Sequence, residues 1–170
     1  MVLSFLSALF LLTTPIVLNN PAVLTFAKED MVHEGPLRKT NEGFVYVKVP
    51  NSYIFETLKL LDSTTIEHPA YFGKSMVGAH ITVIDKTESQ GKKLKLPPMG
   101  TIIPFEIMQF SSVDITNDYG TKRVYMFTVD AAELEKIRLD NGLPPKARGL
   151  DFHITVGVEY LSGKRGEAPH

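Results

Sequence analysis

Two four-residue segments of this chain have the same sequence and carry side chains suited to acid–base chemistry. Residues 80–83 and residues 153–156 both read His-Ile-Thr-Val. In a β-strand, residues i and i+2 point to the same face, so the His and the Thr of each segment project together. The aliphatic residues between them point the other way, toward a core. Gly157 is expected to continue the polar face of the second strand and to leave room for a ligand.

The four polar side chains of these motifs suit the cleavage of a phosphate ester. Imidazole has an ordinary pKa of ~6.5, so near pH 7 one of His80 and His153 can be neutral and accept a proton while the other is charged and donates one. Ester cleavage needs both a base for the attacking water and an acid for the leaving oxygen. The hydroxyls of Thr82 and Thr155 can donate hydrogen bonds to the phosphate oxygens. The sequence does not decide which histidine is the acid.

The elements around the motifs form two strand–helix–strand units, and in each unit the motif lies in the second strand. Alternating β-branched residues predict the strands, whereas apolar residues at helical spacing predict the helices. The first unit comprises strand 44–49, helix 53–61 and strand 79–84. The second unit comprises strand 122–129, helix 131–140 and strand 151–161. Residues 101–115, between the two units, are extended and form either one strand or two strands separated by a bend at 111–112. This order predicts an α+β fold.

Both motifs and the 73-residue separation of their histidines resemble the two-histidine (2H) phosphoesterase superfamily over about residues 44–160. The resemblance implies a two-lobed α+β fold with pseudo-twofold symmetry and antiparallel sheets around a central cleft. It implies a phosphodiesterase that hydrolyses a 2′,3′-cyclic or 2′-5′ phosphodiester of a nucleotide or an RNA end, without a metal or an organic cofactor. The implied catalytic residues are His80, Thr82, His153 and Thr155. The alternative is an exported, non-catalytic module that binds phosphate or nucleotide on the same fold.

Five further residues are candidates for substrate binding. Tyr71 and Phe72 precede the first motif and are placed to stack a base, or else to pack on their own lobe. Lys146 and Arg148 precede the second motif and are placed to attract a phosphate, or else are simply charged residues of a loop. Asp151 lies two residues before the second histidine, where its carboxylate would orient the ring or raise its pKa, unless it is simply solvated.

The bulk composition excludes several classes of function. A formal net charge of −1 over 170 residues provides no general attraction to duplex DNA or to an anionic membrane. The chain has no cysteine, so disulfide scaffolds, thiolate zinc sites and cysteine nucleophiles are excluded. The remaining histidines lack the spacing of metal ligands, and no metal site is predicted. The expected protein is a monomer with one domain and a nucleotide or RNA-end phosphate as its partner.

Residues 1–27 contain no charged side chain and are mostly apolar. Three interpretations of this segment are possible. The leading one is a secretory signal that is cleaved after residue 27, the second is an uncleaved membrane anchor, and the third is a helix buried in the core. The first interpretation predicts an exported protein, secreted or periplasmic, and the second a protein held at the membrane by this segment alone. The expected boundaries are a leader at 28–43, the two-lobed domain at 44–162 and a flexible tail at 163–170.

Overall fold

Nine strands form one antiparallel sheet in the computed structural model, which describes residues 11–72 and 76–163. The strands are β1 (Leu11–Leu12), β2 (Ile16–Val17), β3 (Glu34–Lys39), β4 (Val45–Lys48), β5 (His80–Ile84), β6 (Ile102–Pro104), β7 (Glu106–Asn117), β8 (Gly120–Asp130) and β9 (His153–Gly163). The helices are α1 (Pro21–Thr25), α2 (Ser52–Leu61), α3 (Lys86–Ser89) and α4 (Ala132–Asp140), with a π-helical turn at Phe26–Asp30 and a 3-10 turn at Ala147–Gly149.

The strand order brings the two strand–helix–strand units together at their motif strands. The order is β1-β7-β8-β9-β5-β4-β3-β6, and β2 also pairs with β7. The units β4-α2-β5 and β8-α4-β9 therefore meet where β5 lies beside β9. Each helix packs against the motif strand of the other unit, α2 on β9 and α4 on β5. The α+β class and the antiparallel pairing are confirmed, and the two units share one sheet.

The apolar residues between the polar motif positions form the core, as strand periodicity predicts. Ile81, Val83, Ile154 and Val156 are buried, and Val45 and Val47 of β4 lie in the same cluster. Burying an aliphatic side chain of this size contributes about 1.5–3 kcal/mol, so these alternating residues fix which face of each strand points inward. The opposite face of the sheet is thereby left to the histidines and threonines.

One local prediction needs correction, and one short helix was not anticipated. The extended segment bends at Phe105, between β6 and β7, while β7 continues through Ser111 and Ser112. The polar segment after the first motif contains α3, which begins with a capping box. The Asp85 side chain accepts a hydrogen bond from Thr87 N at 2.7 Å, and the Glu88 carboxylate accepts one from Asp85 N. This reciprocal capping stabilises a helix too short to show a periodic apolar pattern.

Residues 11–39 contribute three strands to the sheet, including β3 within the segment 28–43 that was expected to be a leader, while the cleavage after residue 27 and the expected domain boundaries stay predictions. Strands β1 and β2 pair with β7, and β3 pairs with β4 and β6. Val23 and Ala27 are fully buried in the main core. Part of the apolar N-terminal segment therefore pairs with the sheet and part of it packs into the core. β9 extends through Gly163, and residues 164–170 of the predicted tail lie outside the described part of the chain.

The described residues contain no helix that is both long enough and apolar enough to cross a membrane.

Candidate active site

The register between β5 and β9 places the two motifs against each other. Ile81 pairs with Ile154 in antiparallel orientation. Counting one residue outward on each side sets His80 opposite Thr155 and Thr82 opposite His153, all on the same face of the sheet. An approximate twofold axis therefore runs between Ile81 and Ile154 and exchanges the motifs.

The two imidazoles are diagonal neighbours across these strands. Diagonal positions of an antiparallel pair are roughly 7–8 Å apart, and long side chains on them are within reach of each other. A single phosphoryl group, with one hydrogen bond of about 2.8 Å on each side, can bridge such a gap. Both histidines are half-buried, so both side chains are partly accessible to solvent on this face of the sheet.

Each histidine is oriented by the backbone carbonyl of the residue two positions before it. His80 Nδ1 lies 2.7 Å from Gly78 O, and His153 Nδ1 lies 2.8 Å from Asp151 O. A carbonyl oxygen only accepts, so Nδ1 of each ring carries the hydrogen. Nε2 is then the nitrogen that accepts or donates a proton in the cleft.

Gly78 is required by the geometry around His80. Its φ of +73° is in the left-handed region, and an added Cβ would lie 2.5 Å from Asn51 Oδ1. That oxygen accepts a hydrogen bond from Ala79 N at 2.9 Å, which fixes the start of β5. The glycine therefore allows the tight approach that aims the Gly78 carbonyl at the imidazole.

Burial lowers the pKa of both histidines below the ordinary value of 6.5. For His80, burial is the largest cause, and the positive charges of His153 and Lys48 lower its pKa further. For His153, burial is again the largest cause, while the hydrogen bond to the Asp151 backbone and the charge of Asp151 oppose it. Both rings are therefore mainly neutral near pH 7 when no anion is bound.

Tyr71 connects the two motifs. Its ring is 4.7 Å from the ring of His80 in an edge-on arrangement. Burial raises the pKa of Tyr71 to about 12, although the Thr155 side chain lowers the pKa of its hydroxyl, so the phenol stays protonated. The rings of Phe44 and Tyr46 also face His80, at 5.5 and 5.8 Å. Three aromatic rings therefore surround His80, and one of them belongs to Tyr71, a candidate site residue from the sequence.

Phe72 does not reach the motifs. Its ring packs on Phe55 at 4.6 Å and on His68 at 5.4 Å, in keeping with the interpretation that it packs on its own lobe. A base-stacking role for Phe72 has no support in this geometry.

The three candidates before the second motif have different surroundings. The Asp151 carboxylate forms an ion pair with Lys146, so the atom that orients the second histidine is the Asp151 backbone carbonyl and not its carboxylate. Lys146 is correspondingly engaged with Asp151. Arg148 lies in the 3-10 turn, and its side chain is outside the described part of the structure.

Gly157 points away from the cleft, contrary to the sequence-based expectation. Thr155 pairs with Met126 and Gly157 with Tyr125, so an extra residue of β9 lies between them as a β-bulge. The bulge turns residue 157 to the helix-covered face, where an added Cβ would lie 2.6 Å from Ile66 Cγ2. Glycine is needed here for close packing of the loop before β5 and not for ligand space.

Strand β4 contributes residues that the sequence analysis did not single out. Lys48 pairs with His80 and Tyr46 pairs with Thr82, so both side chains share the motif face. Lys48 Nζ donates to Val77 O at 2.8 Å. A signal for this was present, because buried valines alternate along residues 44–49 and leave two aromatic residues and a lysine on the other face.

The comparison with known proteins agrees with this arrangement. A protein-family model described as Swiss Army Knife, 2H phosphoesterase domain, matches residues 45–161. That span exceeds half of the 170 residues and contains both motif strands. No match is found among curated proteins or solved structures. A 2H phosphoesterase domain implies phosphoesterase activity. The chain therefore belongs to the Swiss Army Knife group of 2H phosphoesterase domains.

Proposed function

We propose that the chain hydrolyses a 2′,3′-cyclic or 2′-5′ phosphodiester of a nucleotide or RNA end, by histidine acid–base catalysis that needs no metal. The observation that carries this proposal is the cross-strand pairing of the motifs. It sets His80 opposite Thr155 and His153 opposite Thr82, and because a backbone carbonyl holds Nδ1 of each ring, Nε2 is the nitrogen left for proton transfer.

The proposed reaction is an in-line displacement at phosphorus. Thr82 and Thr155 donate hydrogen bonds to non-bridging oxygens, on which charge increases in the transition state. His80 Nε2 takes a proton from water as the bond from the water oxygen to phosphorus forms. The bond from phosphorus to the leaving oxygen breaks, and that oxygen receives the proton held by His153 Nε2. The product is a phosphomonoester, and proton exchange with solvent restores both rings.

The charges beside each ring support this division of roles. Lys48 lies across from His80 and disfavours its protonated form, which suits a base. The charge of Asp151 favours the protonated form of His153, which suits an acid. A bound phosphodiester adds a negative charge near both rings and favours a state with one proton on the pair.

The purified full chain is expected to convert a nucleoside 2′,3′-cyclic phosphate to a monoester in the presence of EDTA. Among residues 11–72 and 76–163, no three His, Asp or Glu side chains cluster as a metal site would require. The measurement is product formation by ³¹P NMR with and without chelator. Thermal stabilisation by the nucleotide without any product would instead favour the non-catalytic binding module.

The pH profile is expected to be bell-shaped, with the maximum of kcat/KM below about pH 6.5. In the free protein both histidine pKa values are lowered, so the state with a single proton on the pair exists at acidic pH and is lost as the pH rises. The bound anion raises both pKa values, and the profile of kcat should therefore shift to higher pH than that of kcat/KM. A kcat/KM that still rises between pH 7 and 8 would contradict this assignment.

A further inference from the structure

A cavity of about 230 Å³ lies beside the motif pair, and the N-terminal strand β2 forms one of its walls. Consecutive cross-strand partners form a row from the motif to this wall: Thr155 pairs with Met126, Met126 with Ser111, and Ser111 with Val17. Met126, Ser111 and Val17 all line the cavity. Because directly paired residues share a face, the cavity opens on the same face of the sheet as the catalytic candidates.

The His153 end of the cleft adjoins this cavity. Thr128 pairs with His153 and lines the cavity, and so does Asp151, whose backbone carbonyl orients the imidazole. A group bonded to the oxygen that His153 protonates would therefore extend into the cavity. His80 is one strand further away, on β5.

Ser111 places a buried hydroxyl without a protein partner in the lining of the cavity. Its side chain is 1% exposed, and its Oγ has no hydrogen-bond partner among the described residues. A buried hydroxyl without a partner costs free energy, and a ligand that bonds to it removes that cost. Ser111 lies two strands from Thr155, roughly 10 Å at the usual strand spacing.

The lining favours a neutral ring with hydrogen-bonding groups over a second phosphate. Ser111, Thr128 and Gln109 offer donors and acceptors, and Met126 offers an apolar surface. The described lining residues include no lysine or arginine, and the Asp151 carboxylate disfavours an anion. The volume is below the roughly 300–1,000 Å³ of drug-sized sites, which limits the occupant to about one nucleoside.

We propose that this cavity, the β2–β7 subsite, binds the nucleoside of the leaving group while the motifs hold its phosphate. The inference rests on the proposed function and adds that the apolar N-terminal segment is part of the substrate site. It also gives the substrate a direction, with the leaving nucleoside at the His153 end and the attacking water at the His80 end.

The test compares two substrates on the full chain: uridine 2′,3′-cyclic phosphate, and ethylene phosphate, which has the same five-membered cyclic diester and neither a nucleoside nor any other ring on its leaving oxygen. Val17→Trp narrows the subsite at the wall formed by β2, and Ser111→Leu narrows it at β7. Each variant is expected to lower the ratio of kcat/KM for the nucleotide to kcat/KM for the small ester at least tenfold, mainly through KM. Glu133→Leu, in the separate 450 Å³ cavity beside α4, is the control and should leave the ratio unchanged.

An unchanged ratio in both variants would overturn the subsite while leaving the proposed function intact. Hydrolysis of neither substrate by the unaltered chain would instead remove the proposed function itself. Val17 is 59% exposed, so Val17→Trp is expected to fold. If Ser111→Leu does not fold, the result for Val17→Trp alone decides whether the subsite exists.

Discussion

Replacing either His80 or His153 with alanine should lower turnover of a 2′,3′-cyclic nucleotide by roughly 10²- to 10⁴-fold, because each change removes one proton transfer from the transition state. The double variant should be far less impaired than the product of the two single effects, since the acid and the base act as a unit. His68→Ala is the matched control: His68 is exposed, and its Nδ1 lies 3.1 Å from Pro69 O in its own loop.

A substrate with an activated leaving group separates the two roles. A p-nitrophenolate leaves without protonation, so His153→Ala should lose less than about tenfold on a p-nitrophenyl phosphodiester, while His80→Ala should still lose about 10²-fold or more. Equal losses on both substrates would show that the roles are not divided as we propose. Turnover of the cyclic nucleotide by both single variants at the unaltered rate would contradict the catalytic assignment altogether.

Replacing Glu88 with alanine should lower the stability of the protein by roughly 3–5 kcal/mol, because it leaves the Arg138 guanidinium buried without its carboxylate. Arg138 is fully buried and bonds to both Glu88 oxygens, at 2.7 and 2.9 Å. It also donates to Val83 O in β5 at 2.7 Å and so ties α4 to the first motif strand. At about 2–4 °C per kcal/mol, the melting temperature should fall by ~6–20 °C.

The stability difference between Glu88→Ala and the unaltered chain should depend on pH, because it arises from the contact between the Glu88 carboxylate and Arg138. The Arg138 hydrogen bonds hold the Glu88 pKa below its ordinary value of 4.5. The stabilisation is therefore complete above that value and is lost as the pH falls through the lower folded-state pKa, so the two proteins should converge in strong acid. Lys136→Ala, which breaks the exposed pair with Asp140, should change stability by less than about 1 kcal/mol. A melting temperature of Glu88→Ala within 2 °C of the unaltered chain at pH 7 would contradict the prediction.

The main features of the site follow from sequence because they depend on strand periodicity. Two copies of His-Ile-Thr-Val are enough to place each imidazole and hydroxyl on one face and the aliphatic residues in the core. The helices between the strands follow from their apolar spacing. That β5 would lie beside β9, with His80 opposite Thr155, depends on long-range pairing that no local pattern specifies.

Other features could not be predicted, for identifiable physical reasons. The groups that orient both rings are backbone carbonyls, which have no signature in side-chain types. Gly157 was misassigned because one bulge residue reverses the strand periodicity. The sequence of α4 alone suggests that Arg138 is a surface residue, because its contacts with Glu88 and Val83 depend on long-range packing. The N-terminal segment could not be assigned from sequence to one role, because an apolar run suits a membrane anchor, a signal peptide and a segment packed in the core.

The central claim is that one phosphoryl group lies between both Nε2 atoms and both threonine hydroxyls. A crystal structure of the full chain with a nucleoside vanadate, which mimics the five-coordinate transition state, tests it most directly. We expect Nε2 of His80 and of His153 within about 2.6–3.2 Å of oxygens on opposite sides of vanadium, with Thr82 and Thr155 bonded to the oxygens between them. Vanadate bound to only one of the two motifs, or bound away from both, would contradict the account.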